Sequence, residues 1–209
     1  MARRDTPWIE RARRVRLLVL DVDGVMTDGR LHLTEDGEEH KIFHSRDGHG
    51  IKLIQELGVD VAIITGRSSS AVSRRATSLG IKHVVLGATD KGQAIEELAQ
   101  LLQIGLDEIA AMGDDVLDLP MLNRAGLSAT VSDAPMVIRS RVDWISPVPG
   151  GSGAVRALID TLIDARDQWA DVLATNLSGP FYCCQQAVHL MDRSGGGSIV
   201  NITARTAHR

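Results

Sequence analysis

Three apolar-rich runs along the chain each stop on a polar cluster. Val15 to Leu20 ends in Asp21, Val59 to Ile64 ends in Thr65-Gly66-Arg67, and Ile109 to Met112 ends in Gly113-Asp114-Asp115. Shorter runs occupy His83 to Leu86, Leu127 to Val131 and Asp143 to Ile145. Runs this short predict strands buried on both faces. Between them, Gly48 to Leu57, Ser69 to Leu79 and Lys91 to Leu102 space apolar residues at helical intervals, with charge elsewhere. Gly58 and Gly80 stand where such helices stop. Strand and helix in alternation predict an α/β fold, a parallel sheet sandwiched by helices.

Arg30 to Phe43 breaks the alternation. Leu31-His32-Leu33 and Lys41-Ile42-Phe43 flank Glu35-Asp36-Gly37-Glu38, which predicts a β-hairpin around an Asp-Gly turn directly after the first strand. It is too small for a domain and suits a flap over the site, an oligomer contact, or both.

Composition narrows the class. The 209 residues are 44% hydrophobic and 24% charged, enough for one domain with an appendage and a core that needs no staples. Aromatics are only 3%, so that core is aliphatic, and a net charge of -4 argues against nucleic acid as partner. Cys183 and Cys184 are adjacent and form no disulfide framework, which points to a reducing, cytoplasmic setting. The arginine-rich start has no apolar segment after it and so predicts a solvated, partly frayed arm over 1–14 rather than a secretory signal. No run approaches the ~20 apolar residues of a membrane span.

The chemistry gathers at strand ends, where open α/β sheets bind ligands. Asp21 and Asp23, Thr65 and Arg67, Asp114, Asp115 and Asp118, and Lys91 at the head of a helix all fall on one predicted rim. Phosphate monoester hydrolysis needs such a set. Asp21 and Asp114 can offer hard oxygens to Mg²⁺, and Asp21 can attack phosphorus. Asp23 can protonate the leaving oxygen and later deprotonate water. Thr65 and Lys91 can meet the phosphoryl charge. Each feature alone has an ordinary explanation as a turn, helix cap or surface charge. An EF-hand loop is excluded, because Val25 falls on a ligand position, Met26 on the turn glycine and His32 on the closing glutamate.

The segments LLVLDVDGVMTDG, AIITGR, Lys91 after LGATD, and GDDVLDLPML resemble the four motifs of the haloacid dehalogenase superfamily. Asp23 favours its phosphatases, and the hairpin in place of a large cap resembles the capless branch. FHSRDGHGIKLI, VAIITGRSS, LGI and GGSGAVR at 150–156 are similar to the 3-deoxy-D-manno-octulosonate 8-phosphate phosphatases, from about Val15 to Trp169. The resemblance implies a Rossmann-like phosphatase domain over 15–169 with the hairpin at 30–43. It implies Mg²⁺ on Asp21, Asp114 and the backbone carbonyl of Asp23, with Asp21 as nucleophile and Asp23 as acid/base. Sugar-acid contacts would come from Asp23, from His44, Ser45, Arg46, Asp47 and Gly48, and from Lys52, Arg67, Arg75 and Lys91. Relatives form homotetramers in which hairpins associate and a neighbour closes each site, in the pathway supplying lipopolysaccharide. Nine-carbon sugar-acid 9-phosphate phosphatases and non-catalytic phosphatase-like partner modules share much of the pattern.

The end of the chain reads differently. Asn176 to Phe181 and GGGSIVNIT at 195–203 resemble short-chain dehydrogenases, but Ala204 stands where their catalytic serine would be. No Tyr-x-x-x-Lys follows and no glycine-rich dinucleotide fingerprint precedes it. Residues 171–209 are therefore expected to be a foreign-looking tail without hydride-transfer chemistry, loosely ordered or helical.

Overall fold

A computed structural model describes residues 7–33, 35, 39–194 and 196–200, and its contacts divide the chain into two units, 1–166 and 167–209. The first unit begins with α1 (Pro7–Arg13), β1 (Leu17–Leu20) and a small hairpin, β2 (His32–Leu33) with β3 (Glu39–His40). Then come α2 (Ser45–Glu56), β4 (Asp60–Thr65), α3 (Ser70–Leu79), β5 (His83–Leu86) and α4 (Lys91–Leu102). It closes with β6 (Ile109–Met112), α5 (Leu119–Leu122), β7 (Leu127–Thr130), α6 (Met136–Arg139), β8 (Trp144–Ile145) and α7 (Ala154–Ala165).

Six strands form one parallel sheet in the order β5-β4-β1-β6-β7-β8, and all six coincide with apolar runs of the sequence. The chain builds outward from β1 on one side and then returns to build outward on the other. That reversal beside β1 opens a crevice at the carboxyl ends of the strands. Leu20 lies level with Ile63 of β4 and Met112 of β6, so Asp21 leaves the sheet at the crevice.

Helices follow the predicted spacing. α4 starts where Asp90 accepts hydrogen bonds from the N–H groups of Gly92 (2.8 Å) and Gln93 (3.0 Å), which fixes Lys91 at the head of the helix. α3 ends on Gly80 in the left-handed conformation. α7 was not anticipated, although Val155, Leu158, Ile159, Leu162 and Ile163 carry the i, i+3, i+4 pattern and are all buried. Side chains of that size each contribute about 1.5–3 kcal/mol when buried. α7 packs on both α2 and α1.

Two expectations are corrected. The basic start is not a solvated arm over its described part: residues 7–13 are helical, with Ile9 and Ala12 buried. Arg11 is tied down as well, its Nη1 donating to the Gly126 carbonyl at 2.8 Å and to Asp143 Oδ2 at 3.1 Å. The apolar stripe of α1 anchors it, and its arginines find partners in the body, Arg13 Nε donating to the Ala165 carbonyl at 2.9 Å. Residues 1–6 lie outside the described residues.

In the hairpin, His32 pairs with His40 and Leu33 with Glu39, two residues earlier than Lys41-Ile42-Phe43 suggested. Lys41 turns inward instead, to ion pairs described below. The Asp36-Gly37 turn lies outside the described residues.

The second unit contains α8 (Trp169–Leu173), a π-helical segment at Ala174–Ser178 and α9 (Gly179–Ser194). α9 exposes Phe181, Tyr182, Val188 and Leu190. Residues 196–200 have no regular structure, and 201–209, with Ala204, lie outside the described residues. Among the described residues no helix is long and apolar enough to cross a membrane.

Candidate active site

Asp21 continues β1, its N–H donating to the Met112 carbonyl at 3.0 Å. Its carboxylate is buried and accepts from Lys91 Nζ at 2.8 Å. Lys91 also donates to Asp118 Oδ1 at 2.5 Å, and the other oxygen of Asp118 accepts the N–H groups of Asp114 (2.8 Å) and Asp115 (3.1 Å). The Thr130 hydroxyl donates to the Gly113 carbonyl at 2.7 Å. The loop after β6 is thus folded around Asp118 and held from below by β7, which aims Asp114 at Asp21.

Asp21, Asp114 and Asp118 each present a carboxylate oxygen, all within 4.8 Å of one another. Burial pushes the Asp21 carboxyl up to about 6, with the charge of Asp118 adding to the rise and Lys91 opposing it. Burial likewise pushes Asp114 up to about 8, reinforced by Asp118, Asp21 and Asp115. For Lys91, burial works against the ammonium, but Asp21 and Asp118 outweigh it and hold its pKa above the ordinary lysine value. One lysine faces three carboxylates here. A divalent cation with a taste for hard oxygens, such as Mg²⁺, fits that deficit. Both oxygens of Asp118 are already engaged, so Asp21 and Asp114 are the side chains that fit as ligands.

Asp23 stands two residues further on. Its Oδ1 accepts from Lys41 Nζ at 2.5 Å, and its Oδ2 lies 3.9 Å from Arg67 Nε. Glu39 bridges the same cations, with Oε1 2.5 Å from Lys41 Nζ and Oε2 2.8 Å from Arg67 Nη2. Thr65 is buried at the end of β4, its Oγ1 accepting the Arg67 N–H at 3.4 Å. A cleft of about 500 Å³ beside this cluster is lined by Glu39, His40, Lys41, Ser68, Ser69, Ser70, Ala71 and Arg74.

The structure therefore brings Asp21, Asp23, Thr65, Arg67, Lys91 and Asp114 to one rim. The remaining expected residues divide. His44 caps α2, its Nδ1 accepting the Arg46 N–H at 3.3 Å, and Ser45 and Arg46 are exposed. Asp47 points inward instead, with Oδ1 accepting the Arg156 N–H at 2.8 Å, so it pins the start of α7 to α2. Arg75 lies over the Phe43 ring, 5.7 Å from its centroid, and occupies room that Gly48 leaves: a Cβ there would meet Arg75 Nη2 at 2.2 Å.

Lys52 is not at the rim. It lines a cavity with Asp60, Gly80 and His83 at the opposite ends of β4 and β5. Seven residues of helix separate it from Ser45, about 10 Å of rise.

Two participants received no role from sequence. Asp118 was visible at the rim without an assigned partner. Lys41 was read as a strand residue, and its only signal was a charge beside Ile42 and Phe43.

A family profile described as haloacid dehalogenase-like hydrolase matches residues 83–158. The Yersinia pestis 3-deoxy-D-manno-octulosonate 8-phosphate phosphatase KdsC is 42% identical over 160 residues, covering 77% of this chain and 86% of that protein. Its crystal structure gives a TM-score of 0.75. The chain belongs to the haloacid dehalogenase-like hydrolases, in the 3-deoxy-D-manno-octulosonate 8-phosphate phosphatase family.

Family members of known structure extend the comparison. The Moraxella catarrhalis phosphatase, solved with magnesium, phosphate and KDO, is 36% identical with a TM-score of 0.78, covering 80% of this chain and 96% of that one. The cobalt-bound Haemophilus influenzae phosphatase is 35% identical with a TM-score of 0.76, covering 82% and 99% respectively.

Proposed function

We infer that this chain hydrolyses 3-deoxy-D-manno-octulosonate 8-phosphate to the free sugar acid and inorganic phosphate. The observation that carries this is the Asp21–Lys91–Asp118–Asp114 cluster at the sheet's switch point, in a chain 42% identical to a phosphatase of that name. Asp21 attacks phosphorus, the bond from phosphorus to the sugar oxygen breaks, and an aspartyl-phosphate forms. Asp23 gives its proton to the departing oxygen, then takes one from the water that releases phosphate and restores Asp21. Asp21, Asp114 and the Asp23 carbonyl would hold Mg²⁺, which would supply positive charge to the phosphoryl oxygens. Lys91 holds Asp21 oriented, and the Thr65 hydroxyl donates to a phosphoryl oxygen.

The sugar acid lies beside the hairpin, with Arg67, Arg75 and the start of α2 from His44 to Gly48 as its contacts. Lys52, remote from its own rim, serves the site of a second copy. Leu31, Leu33 and Ile42 are exposed around the hairpin and support association there, in a homotetramer. The adjacent cysteines, without a disulfide framework, support a cytoplasmic setting, where the product would supply lipopolysaccharide. The tail at 171–209 takes no part in the chemistry.

The test is phosphate release from eight- and nine-carbon sugar-acid phosphates, with Mg²⁺ and with chelator. Asp21→Asn is expected to lose activity completely, and full activity in it would overturn the mechanism. A preference for the nine-carbon ester would overturn the substrate alone. Mixing Asp21→Asn chains with Lys52→Ala chains should restore turnover if Lys52 acts across copies, and no recovery would confine it to its own chain.

A further inference from the structure

Lys41 reverses the usual order of a strand-like segment. Its side chain is 3% exposed, whereas its neighbour Ile42 is 66% exposed. Burying an ammonium while an isoleucine faces outward costs free energy unless the ammonium is fully partnered. Lys41 has two partners, Asp23 Oδ1 and Glu39 Oε1, each at 2.5 Å. Glu39 in turn takes Arg67 Nη2 at 2.8 Å. The hairpin thus reaches the site as an already paired Glu39–Lys41 unit, closed against Arg67 from the loop after β4.

We propose that Lys41 is the positioning residue of the acid/base Asp23: it holds Oδ1, so that Oδ2, 3.9 Å from Arg67 Nε and beyond hydrogen-bond distance of it, is the oxygen that exchanges a proton with the leaving group. The inference rests on the reading of Asp23 as acid/base. It assigns the hairpin a part in the chemistry beyond covering the site, because displacing β3 would carry Lys41 away from Asp23. A lysine on a four-carbon stem suits the task, since it binds one carboxylate oxygen as a point charge and leaves the other exposed. Glu39 limits the directions in which that stem can lie.

The alternatives are a lysine that only anchors the hairpin, and one that contacts substrate directly. Leaving-group dependence separates them. The kcat/KM of this reaction reports steps up to aspartyl-phosphate formation, in which Asp23 protonates the departing oxygen. Across a series of aryl phosphates from p-nitrophenyl to unsubstituted phenyl, an enzyme with a well-placed acid shows a shallow dependence on leaving-group pKa.

In Lys41→Met the dependence is expected to steepen, with phenyl phosphate losing about tenfold to a hundredfold and p-nitrophenyl phosphate nearly unchanged. Lys41→Arg should recover most of the shallow slope. Partial unfolding, or loss of a substrate contact, lowers all esters together and leaves the slope alone. An unchanged slope in Lys41→Met therefore overturns the proposal, whatever happens to overall activity. Asp23→Asn is the internal reference and should show the steepest slope of the set. A wild-type slope in that variant would overturn the acid/base reading itself, and the role of Lys41 with it.

Discussion

A Cβ on Gly24 would stand 2.1 Å from Asp114 Oδ2. The loop that carries Asp21 and the loop that carries Asp114 meet only because residue 24 has no side chain. Gly24 also sits at φ +87°, which disfavours any other residue.

Gly24→Ala should accordingly displace Asp114 from Asp21. Mg²⁺ affinity and kcat/KM are expected to fall together, by about a hundredfold, because misplacements of about an ångström at a reacting centre are that costly. Titration calorimetry and steady-state kinetics check this, and wild-type values in both would contradict the packing described.

The raised carboxyls set a pH dependence. Asp21 is pushed up to about 6 and Asp114 to about 8, both well above the unfolded value near 4. Between about pH 4 and 8 the metal-free folded chain therefore holds protons that the unfolded chain has released, so its stability falls as pH rises. Metal binding needs the ionised carboxylates, so Mg²⁺ affinity should climb over about pH 6–8 with proton release. Melting curves with and without Mg²⁺, and calorimetry in buffers of different ionisation enthalpy, measure both. A flat affinity across that range would count against the cluster as the metal site.

Asp118 touches no reacting atom in the proposed mechanism, yet it partners Lys91 and two backbone N–H groups while almost fully buried. Asp118→Ala leaves a buried ammonium with one partner and two amides with none. A loss of about 3–5 kcal/mol in unfolding free energy is expected, seen as a shift of the denaturant midpoint. A midpoint within error of wild type would mean that the loop after β6 is held by other contacts.

Arg11 offers the opposite separation. Its guanidinium joins Asp143 and the Gly126 carbonyl, which precede β8 and β7 at the strand ends opposite the rim. Arg11→Ala should cost about 1–3 kcal/mol of stability and leave kcat/KM at 25 °C within about twofold. A large kinetic effect would show that α1 communicates with the rim.

A chain ending at Arg166 tests the second unit. The rim residues named above all precede Arg166, so its kcat/KM is expected to match that of the full chain. A severalfold drop would give the tail a role that its residues do not announce.

Much of this was legible in one dimension. β1, β4 and β6 were readable because a strand buried on both faces must be almost wholly apolar, and Asp21, Thr65 and Asp114 stood out as the polar residues that end them; β7 is buried despite Ser128 and Thr130, while β5 and β8, expected to be buried on both faces, are edge strands and only partly covered. α4 runs from Lys91 to Leu102 as its apolar spacing predicts, and the structure adds Asp90 as its cap. The start of the chain was misread because six arginines hid the stripe of Ile9 and Ala12. The second hairpin strand was misplaced because Lys41 faces inward for a partner eighteen residues away.

The sequence by itself determined the strand–helix alternation and the residue types that chemistry requires, since both follow from local periodicity and from what each side chain can do. Only the tertiary structure decided which of those residues meet. It joined Lys91 to Asp118 as well as Asp21, turned Asp47 inward to α7, left Lys52 at the far end of α2 and brought Lys41 to Asp23. Those outcomes depend on pairings across the sheet and on room left by particular glycines, and no local pattern in the chain encodes such long-range distances.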